Sequence, residues 1–272
     1  MFKAKIQKGC VSDGPGIRTV VFLKGCNLRC PWCCNPESYS DVDYWYNSER
    51  CLFFKGLHSP LCVSCEKTGG PKPVQLCPFR VVSPTYDSYS TDSLLESLES
   101  DIPLFLQSGG GVTISGGEPL SNKQIFEEIV NAFRNKGISI CVETSLYVNE
   151  LPSVETLTSV DHWLVDLKLQ PEMYLNTDRY IGVVKDHLQK INNCTFRFVF
   201  VNSVLDSKDI VIKKLKEIGV ESLELLKCHG LAEAKYRRLG KKYVNYSADT
   251  NKFEEFSAFL VSRSIGVEML KV

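Results

Sequence analysis

Six apolar, β-branched or aromatic runs, each of strand length, recur along the chain, usually followed by a stretch of helical spacing. They are TVVFLKG from Thr19, GVTISGG from Gly111, ISICVETS from Ile138, HWLVDLK from His162, CTFRFVF from Cys194 and SLELLKC from Ser222. Between them lie SLLESLESDIPLFL from Ser93, NKQIFEEIVNAFRNKG from Asn122 and SKDIVIKKLKEIGV from Ser207. The last two carry Gly137 and Gly219 near their ends, where helices commonly stop. Such alternation makes a parallel sheet, because consecutive parallel strands need a crossover between them. The fold class expected is α/β. Six units are two short of a closed (β/α)8 barrel, so the expectation is a partial (β/α)6 TIM-type barrel with its chemistry at the C-terminal strand ends.

A chain of 272 residues is long enough for one sizeable core, and residues 1–272 are read as one domain. From about Tyr39 to Tyr89 the alternation stops and Cys, Pro, Gly and Ser accumulate, as in CVSC and TGGPKP, so residues 39–89 read as a loop-rich insertion. Towards the end, KFEEFSAFLVSRS reads as a helix and GVEML as an added edge strand.

The 32 basic and 32 acidic side chains cancel, and no basic run is interleaved with aromatics, so a nucleic-acid partner is not indicated. MFKAKIQKGCVSDG lacks the apolar core and cleavage site of a signal peptide, and no apolar stretch reaches the ~18 residues of a spanning helix. The expectation is a cytoplasmic protein with no membrane partner. In a reducing compartment, twelve cysteines are explained more simply by metal or cluster ligation than by disulfides.

Cys26, Cys30 and Cys33 form a C-x3-C-x2-C triad just past the first strand. Three thiolates on one loop can hold three irons of a 4Fe-4S cubane and leave the fourth open, and the open iron can chelate the amino and carboxylate groups of S-adenosylmethionine. The plainer alternative is a zinc site that borrows Cys34 or Cys10 as a fourth ligand. Trp32 stands where an aromatic would wall off the adenine, although a lone Trp is more often core packing. Gly116 and Gly117 after a buried strand allow close backbone approach, and Glu118 offers a carboxylate to an ammonium. Asp166 and Lys168 alternate, so both project from one side of their strand.

DGPGIRTVVFLKGCNLRCPWCCNPE from Asp13 and SGGGVTISGGEPL from Ser108 resemble the two signatures of the radical S-adenosylmethionine enzymes that activate glycyl-radical enzymes, the group that includes pyruvate formate-lyase activating enzyme. Weaker echoes at VETS, DLK and CHGLAEAKYRRLG extend the resemblance over roughly residues 13–240. It implies that Cys26, Cys30 and Cys33 hold the catalytic cluster, that the segment at Gly116, Gly117 and Glu118 contacts the methionine moiety, and that Asp166 and Lys168 line the cofactor and substrate site. It implies further that His229 positions the cofactor, that any contact of Cys34 is through backbone, and that Lys235 and Tyr236 match the KY that follows. Glu143 and Thr144 fall where related enzymes bind a monovalent cation, with Glu in place of a shorter Asp. The function implied is reductive cleavage of S-adenosylmethionine to a 5'-deoxyadenosyl radical that abstracts hydrogen from a glycine of a partner enzyme, with a flavodoxin or ferredoxin type protein donating the electron. The fit loosens towards the C-terminus, where FRFVFVNSVLDSKD keeps Arg197 and little else, and this motivates the alternative of a small-molecule or peptide substrate.

Cys51, Cys62, Cys65 and Cys77 in the insertion are enough for one auxiliary 4Fe-4S cluster or a zinc site. The Cys77-Pro78 ending resembles bacterial ferredoxin segments and favours the cluster, half of the about eight cysteines common in family inserts. Cys10, Cys141, Cys194 and Cys228 read as small core hydrophobes.

Overall fold

The computed structural model describes residues 1–52, 55–57, 62, 77, 79, 81–173 and 176–270. The chain opens with β1 (Phe2–Cys10) and β2 (Arg18–Leu23), followed by the short strands β3 (Tyr44–Tyr46), β4 (Val82–Pro84) and β5 (Asp87–Tyr89). Then come α1 (Thr91–Leu98), α2 (Ile102–Ser108), β6 (Gly111–Gly116), α3 (Lys123–Asn135), β7 (Ile140–Thr144), α4 (Val154–Thr158) and β8 (His162–Asp166). The last third holds α5 (Thr177–Leu188), β9 (Cys194–Phe200), α6 (Lys208–Ile218), β10 (Ser222–Lys227), α7 (Glu233–Arg238), α8 (Thr250–Ser262) and β11 (Gly266–Leu270).

All six expected strands form, and β2, β6, β7, β8, β9 and β10 lie side by side in that order, every neighbouring pair parallel. Among the described residues the sheet runs through nine strands, β11-β10-β9-β8-β7-β6-β2-β1-β5. β11 adds in parallel to β10, as GVEML suggested, with Ser222 opposite Gly266. β1 and β5 are additions to the expected set: β1 runs antiparallel to β2, with Ala4 opposite Leu23, and β5 caps its start. A signal for β1 is present in Phe2, Ala4 and Ile6, which alternate with Lys3 and Lys5.

The helices cover the sheet through one apolar stripe each. In α3 the buried residues are Phe126, Ile129, Val130 and Phe133, at i, i+3, i+4 and i+7, and in α6 Val211, Ile212, Leu215 and Ile218, at i, i+1, i+4 and i+7; each set lies on one helix face. Asn122 caps α3 by accepting from the Ile125 amide, and α6 stops at Gly219, whose φ of 92° suits a residue without a Cβ. The single helix suggested from Ser93 is two. A 3-10 turn at Glu99–Asp101 interrupts it, and Pro103 sits in the first turn of α2, where its missing N–H has no helical partner to lose. Within the segment 39–89, β3 and β4 pair as a separate two-stranded sheet, and Cys51, Val81 and Val82 make a small apolar cluster beside it.

Candidate active site

One concave face of the sheet carries a cavity of about 750 Å³ into which the C-terminal ends of successive strands open. Its lining includes Cys26, Cys30, Trp32, Cys33 and Cys34 after β2, Gly116, Gly117 and Glu118 at the end of β6, and Asp166 and Lys168 at the end of β8. Glu143 and Thr144 of β7, Arg197 of β9 and His229 after β10 complete it. Every residue expected at the main site therefore meets in one place, although the motifs lie up to 203 residues apart in sequence, from Cys26 to His229.

The triad loop is closed at its base, where the Gly25 amide donates to the Ser38 carbonyl at 2.9 Å. Inside it the Leu28 amide donates to Cys26 Sγ at 3.4 Å and the Asn35 amide to Cys33 Sγ at 3.3 Å. Amides aimed at sulfur stabilise thiolates, and in iron-sulfur sites they tune the potential. Burial pushes the Cys26 thiol up to about 11 and raises Cys30 and Cys33 as well, so the pocket alone disfavours thiolate; a bound cationic centre reverses that balance. Among the described residues no three His, Cys, Asp or Glu side chains converge on one point as the ligands of a single metal ion do. The three thiols, the sulfur-directed amides and the adjoining cavity fit a cluster with room for a ligand beside it.

Gly116 and Gly117 act on this loop. A Cβ on Gly116, whose φ is +120°, would lie 2.3 Å from the Leu23 nitrogen, and one on Gly117 would lie 1.8 Å from the Gly25 carbonyl oxygen. In their place the Gly117 amide donates to the Leu23 carbonyl at 2.9 Å and the Glu118 amide to that of Gly25 at 2.8 Å. The close approach expected towards a ligand is thus also an approach to the triad loop.

Glu118 is buried and its carboxylate is saturated by the chain. Oε1 accepts from the Leu120 amide at 3.2 Å and the Thr144 hydroxyl at 2.5 Å, and Oε2 from the Ser145 amide at 2.9 Å and hydroxyl at 2.6 Å. With all four lone-pair directions engaged, Glu118 joins the β6 turn to the end of β7.

The Glu143 and Thr144 side chains are each engaged by other side chains of the protein. As neighbours on a strand their side chains point to opposite faces: Thr144 to Glu118, and Glu143 to the Ser115 hydroxyl at 2.6 Å and to Arg197 at 3.0 Å. Arg197 also donates to Glu224 at 2.6 Å and to the Ser12 carbonyl, so one buried guanidinium bridges β7, β9 and β10. Burial opposes its charge, yet Glu143 and then Glu224 hold its pKa above the ordinary value.

Asp166 and Lys168 form an ion pair with each other at the cavity wall. Burial works against the Lys168 ammonium, but Asp166 and then Cys30 outweigh it and its pKa is raised. Asp166 Oδ1 is buried and accepts no hydrogen bond among the described residues, an acceptor left over for a bound donor. Trp32 lines the cavity and meets the ring of Tyr246 edge-on at 6.2 Å. The His229 ring also lines the cavity, its Nδ1 accepting from the Leu231 amide at 3.3 Å.

Sequence reasoning left the clamp on the triad loop unread. From α7, Lys235 donates to the Cys34 carbonyl at 2.9 Å, to Asn35 Oδ1 at 2.7 Å and to the buried Glu37 carboxylate at 2.9 Å. The neighbouring Tyr236 hydroxyl donates to the Cys33 carbonyl at 3.2 Å. On the other flank, Asn27 donates to the Tyr147 carbonyl at 2.5 Å. The only trace of this in the sequence is the Lys-Tyr pair itself.

Cys10, Cys141 and Cys228 are buried and Cys194 is half-buried against the core, as expected of small apolar side chains. In the insertion Cys51 and Cys62 are buried and Cys77 packs against the cluster of Cys51, Val81 and Val82, while Cys65 lies outside the described residues.

Residues 12–189 match the family described as a 4Fe-4S single cluster domain. The (2S)-3-sulfopropanediol dehydratase activating enzyme of Klebsiella oxytoca is 30% identical, over 91% of this chain and 88% of that one. The chain belongs to the radical S-adenosylmethionine family of glycyl-radical-enzyme activating enzymes. The 4-hydroxyphenylacetate decarboxylase activating enzyme of Clostridium scatologenes is likewise 30% identical, over 96% and 94%. Among solved structures, Escherichia coli QueE superposes with a TM-score of 0.51 at 14% identity, covering 100% of this chain and 94% of that one, and so shares the partial-barrel fold. Among the described residues no helix is long and apolar enough to cross a membrane.

Proposed function

We propose that this activating enzyme installs a glycine-centred radical in a partner glycyl-radical enzyme, and that the cavity beneath the triad loop is where it does so. The observation that carries this reading is the gathering of the cysteine triad, the Gly116–Glu118 turn, the Asp166–Lys168 pair and His229 around one cavity. When bound, a reduced 4Fe-4S cluster and S-adenosylmethionine supply a 5'-deoxyadenosyl radical that takes a hydrogen atom from the partner's glycine.

The protein's own part is to hold and to exclude. Cys26, Cys30 and Cys33 hold the cluster. The backbone at Gly116 and Gly117 takes the cofactor's ammonium, since the Glu118 carboxylate is committed to Leu120, Thr144 and Ser145 and its carbonyl accepts from the Ser121 amide at 3.0 Å. Asp166 Oδ1 accepts from a hydroxyl or amine, Lys168 presents a lasting positive charge, and Trp32 and His229 flank the adenine. Water is kept from the radical by a wall that draws on most of the strands in the sheet. With residues 1–272 as the core, the segment 39–89 is read as an insertion whose Cys51, Cys62, Cys65 and Cys77 hold an auxiliary cluster. Iron and sulfide counting on wild type and on a Cys62→Ala/Cys65→Ala variant tests it, equal iron in both overturning the second cluster.

Anaerobically reconstituted protein reduced with dithionite is expected to convert S-adenosylmethionine to 5'-deoxyadenosine, and Cys30→Ala to make none. With the partner present, electron paramagnetic resonance should detect a glycine-centred radical. Cleavage without that signal for any glycyl-radical enzyme offered would point to a small-molecule or peptide substrate instead.

A further inference from the structure

Beside the triad loop, among residues that do not line the cavity, two aromatic rings are each flanked by two cations. Arg29 and Lys241 lie 4.9 Å and 5.4 Å from the centre of the Tyr39 ring. Arg238 and Lys5 lie 5.1 Å and 5.6 Å from that of Trp45. In a chain with 32 basic and 32 acidic side chains, four cations around two rings are a local concentration of charge.

Three carboxylates nearby are engaged. Glu37 is buried and takes Lys235 at 2.9 Å and Lys5 at 3.8 Å, Glu49 takes Arg237 at 3.3 Å, and Asp43 pairs with Lys24. Arg29, Arg238 and Lys241 make no ion pair among the described residues. The patch also touches the triad's backbone: Arg29 donates to the Cys26 carbonyl at 2.8 Å, and the Tyr39 hydroxyl lies 3.2 Å from that of Tyr236, which donates to the carbonyl of Cys33.

Resting on the function proposed above, we propose that this patch is where an acidic one-electron carrier protein docks to reduce the cluster. Cofactor and glycine both occupy the cavity side of the triad, so a carrier that must act while they are bound needs the other side. A basic surface over the cluster loop steers an acidic protein there. One electron leaves the reduced carrier, which is oxidised, and enters the cluster, which is reduced; no bond is made or broken.

The test compares wild type with Arg238→Glu/Lys241→Glu and with Lys241→Glu alone, following 5'-deoxyadenosine formation driven by reduced flavodoxin, an acidic flavin protein, or by dithionite. At low salt the flavodoxin-driven rate of the double variant should fall about tenfold and lose its salt dependence, with a smaller fall in the single variant. The dithionite-driven rate should stay within about twofold of wild type, which also shows that the variants fold. An unchanged flavodoxin-driven rate, or an equal fall with both reductants in both variants, overturns the docking site. A loss confined to glycyl-radical yield assigns the patch to the glycyl-radical enzyme and overturns it too. If wild type makes no product with dithionite, the proposed function fails, and the docking site falls with it.

Discussion

At the scale of single residues, the signature glycines and Glu118 are tied to the protein's own backbone before any ligand is considered. Gly117→Ala forces a Cβ to within 1.8 Å of the Gly25 carbonyl, so the β6 turn and the triad loop must part. The expected cost is about 2–4 kcal/mol of stability, with loss of bound iron, measured by denaturant unfolding and iron analysis. Glu118→Gln keeps the shape but has one acceptor oxygen where four donors converge. It should cost about 1–3 kcal/mol in the same unfolding experiment, because buried donors lose their partner. That these positions matter was legible in SGGEP. That they bind the triad loop was not, because a sequence displays a motif's composition but not which backbone it approaches.

At the scale of elements, the parallel core was readable because each of its strands carries an apolar or β-branched run, most fully buried in β2, β6 and β7, whereas β1, half exposed and antiparallel, offered only short alternation. The ionic ties between strands were unreadable for a different reason. Glu143, Arg197 and Glu224 sit singly on β7, β9 and β10, and only the registers that place Asp166 opposite Arg197 and Arg197 opposite Glu224 bring them together. The substitution Arg197→Met leaves two partly buried carboxylates without their cation and is expected to cost about 2–3 kcal/mol at neutral pH. The pH dependence follows from Glu143. Burial raises its carboxyl, but Arg197 and the Ser115 hydroxyl outweigh that, and its folded pKa lies below the ordinary value. A depressed folded pKa gives stability that is present above the unfolded value of about 4.3 and is lost as pH falls through the folded one. Wild type should therefore lose this contribution only in acid. The Arg197→Met variant should recover part of its deficit on mild acidification, as the stranded carboxylates take up protons. Equal denaturation midpoints for the two proteins at neutral pH would remove the triad of charges from the account.

At the scale of the whole molecule, the cysteine loop is the point where distant parts of the chain are fastened to one another. It is held at its base by Ser38, from the β6 turn by Gly117 and Glu118, from the β7 loop by Tyr147, and from α7 by Lys235 and Tyr236. A cluster bound to Cys26, Cys30 and Cys33 selects the folded arrangement of that loop, and anything that binds the native state alone stabilises it by mass action. Removing iron with a chelator should therefore lower the melting temperature, by about 2–4 °C for each kcal/mol of linkage. The same removal should loosen the fastened segments together. Amide exchange should rise in concert across residues 25–38, 116–120, 144–147 and 233–238, while α8 and β11, which pack on each other and make none of the loop's hydrogen bonds, keep their protection. Tyr236→Phe, which removes the hydroxyl linking Tyr39 to Cys33 but keeps the Lys235 contacts, should weaken the coupling of α7 to that response and shed iron faster on dialysis, at a cost of about 1 kcal/mol. If α7 exchanges identically with and without iron in wild type, the clamp is packing only, and the loop's hold on the C-terminal third lies elsewhere.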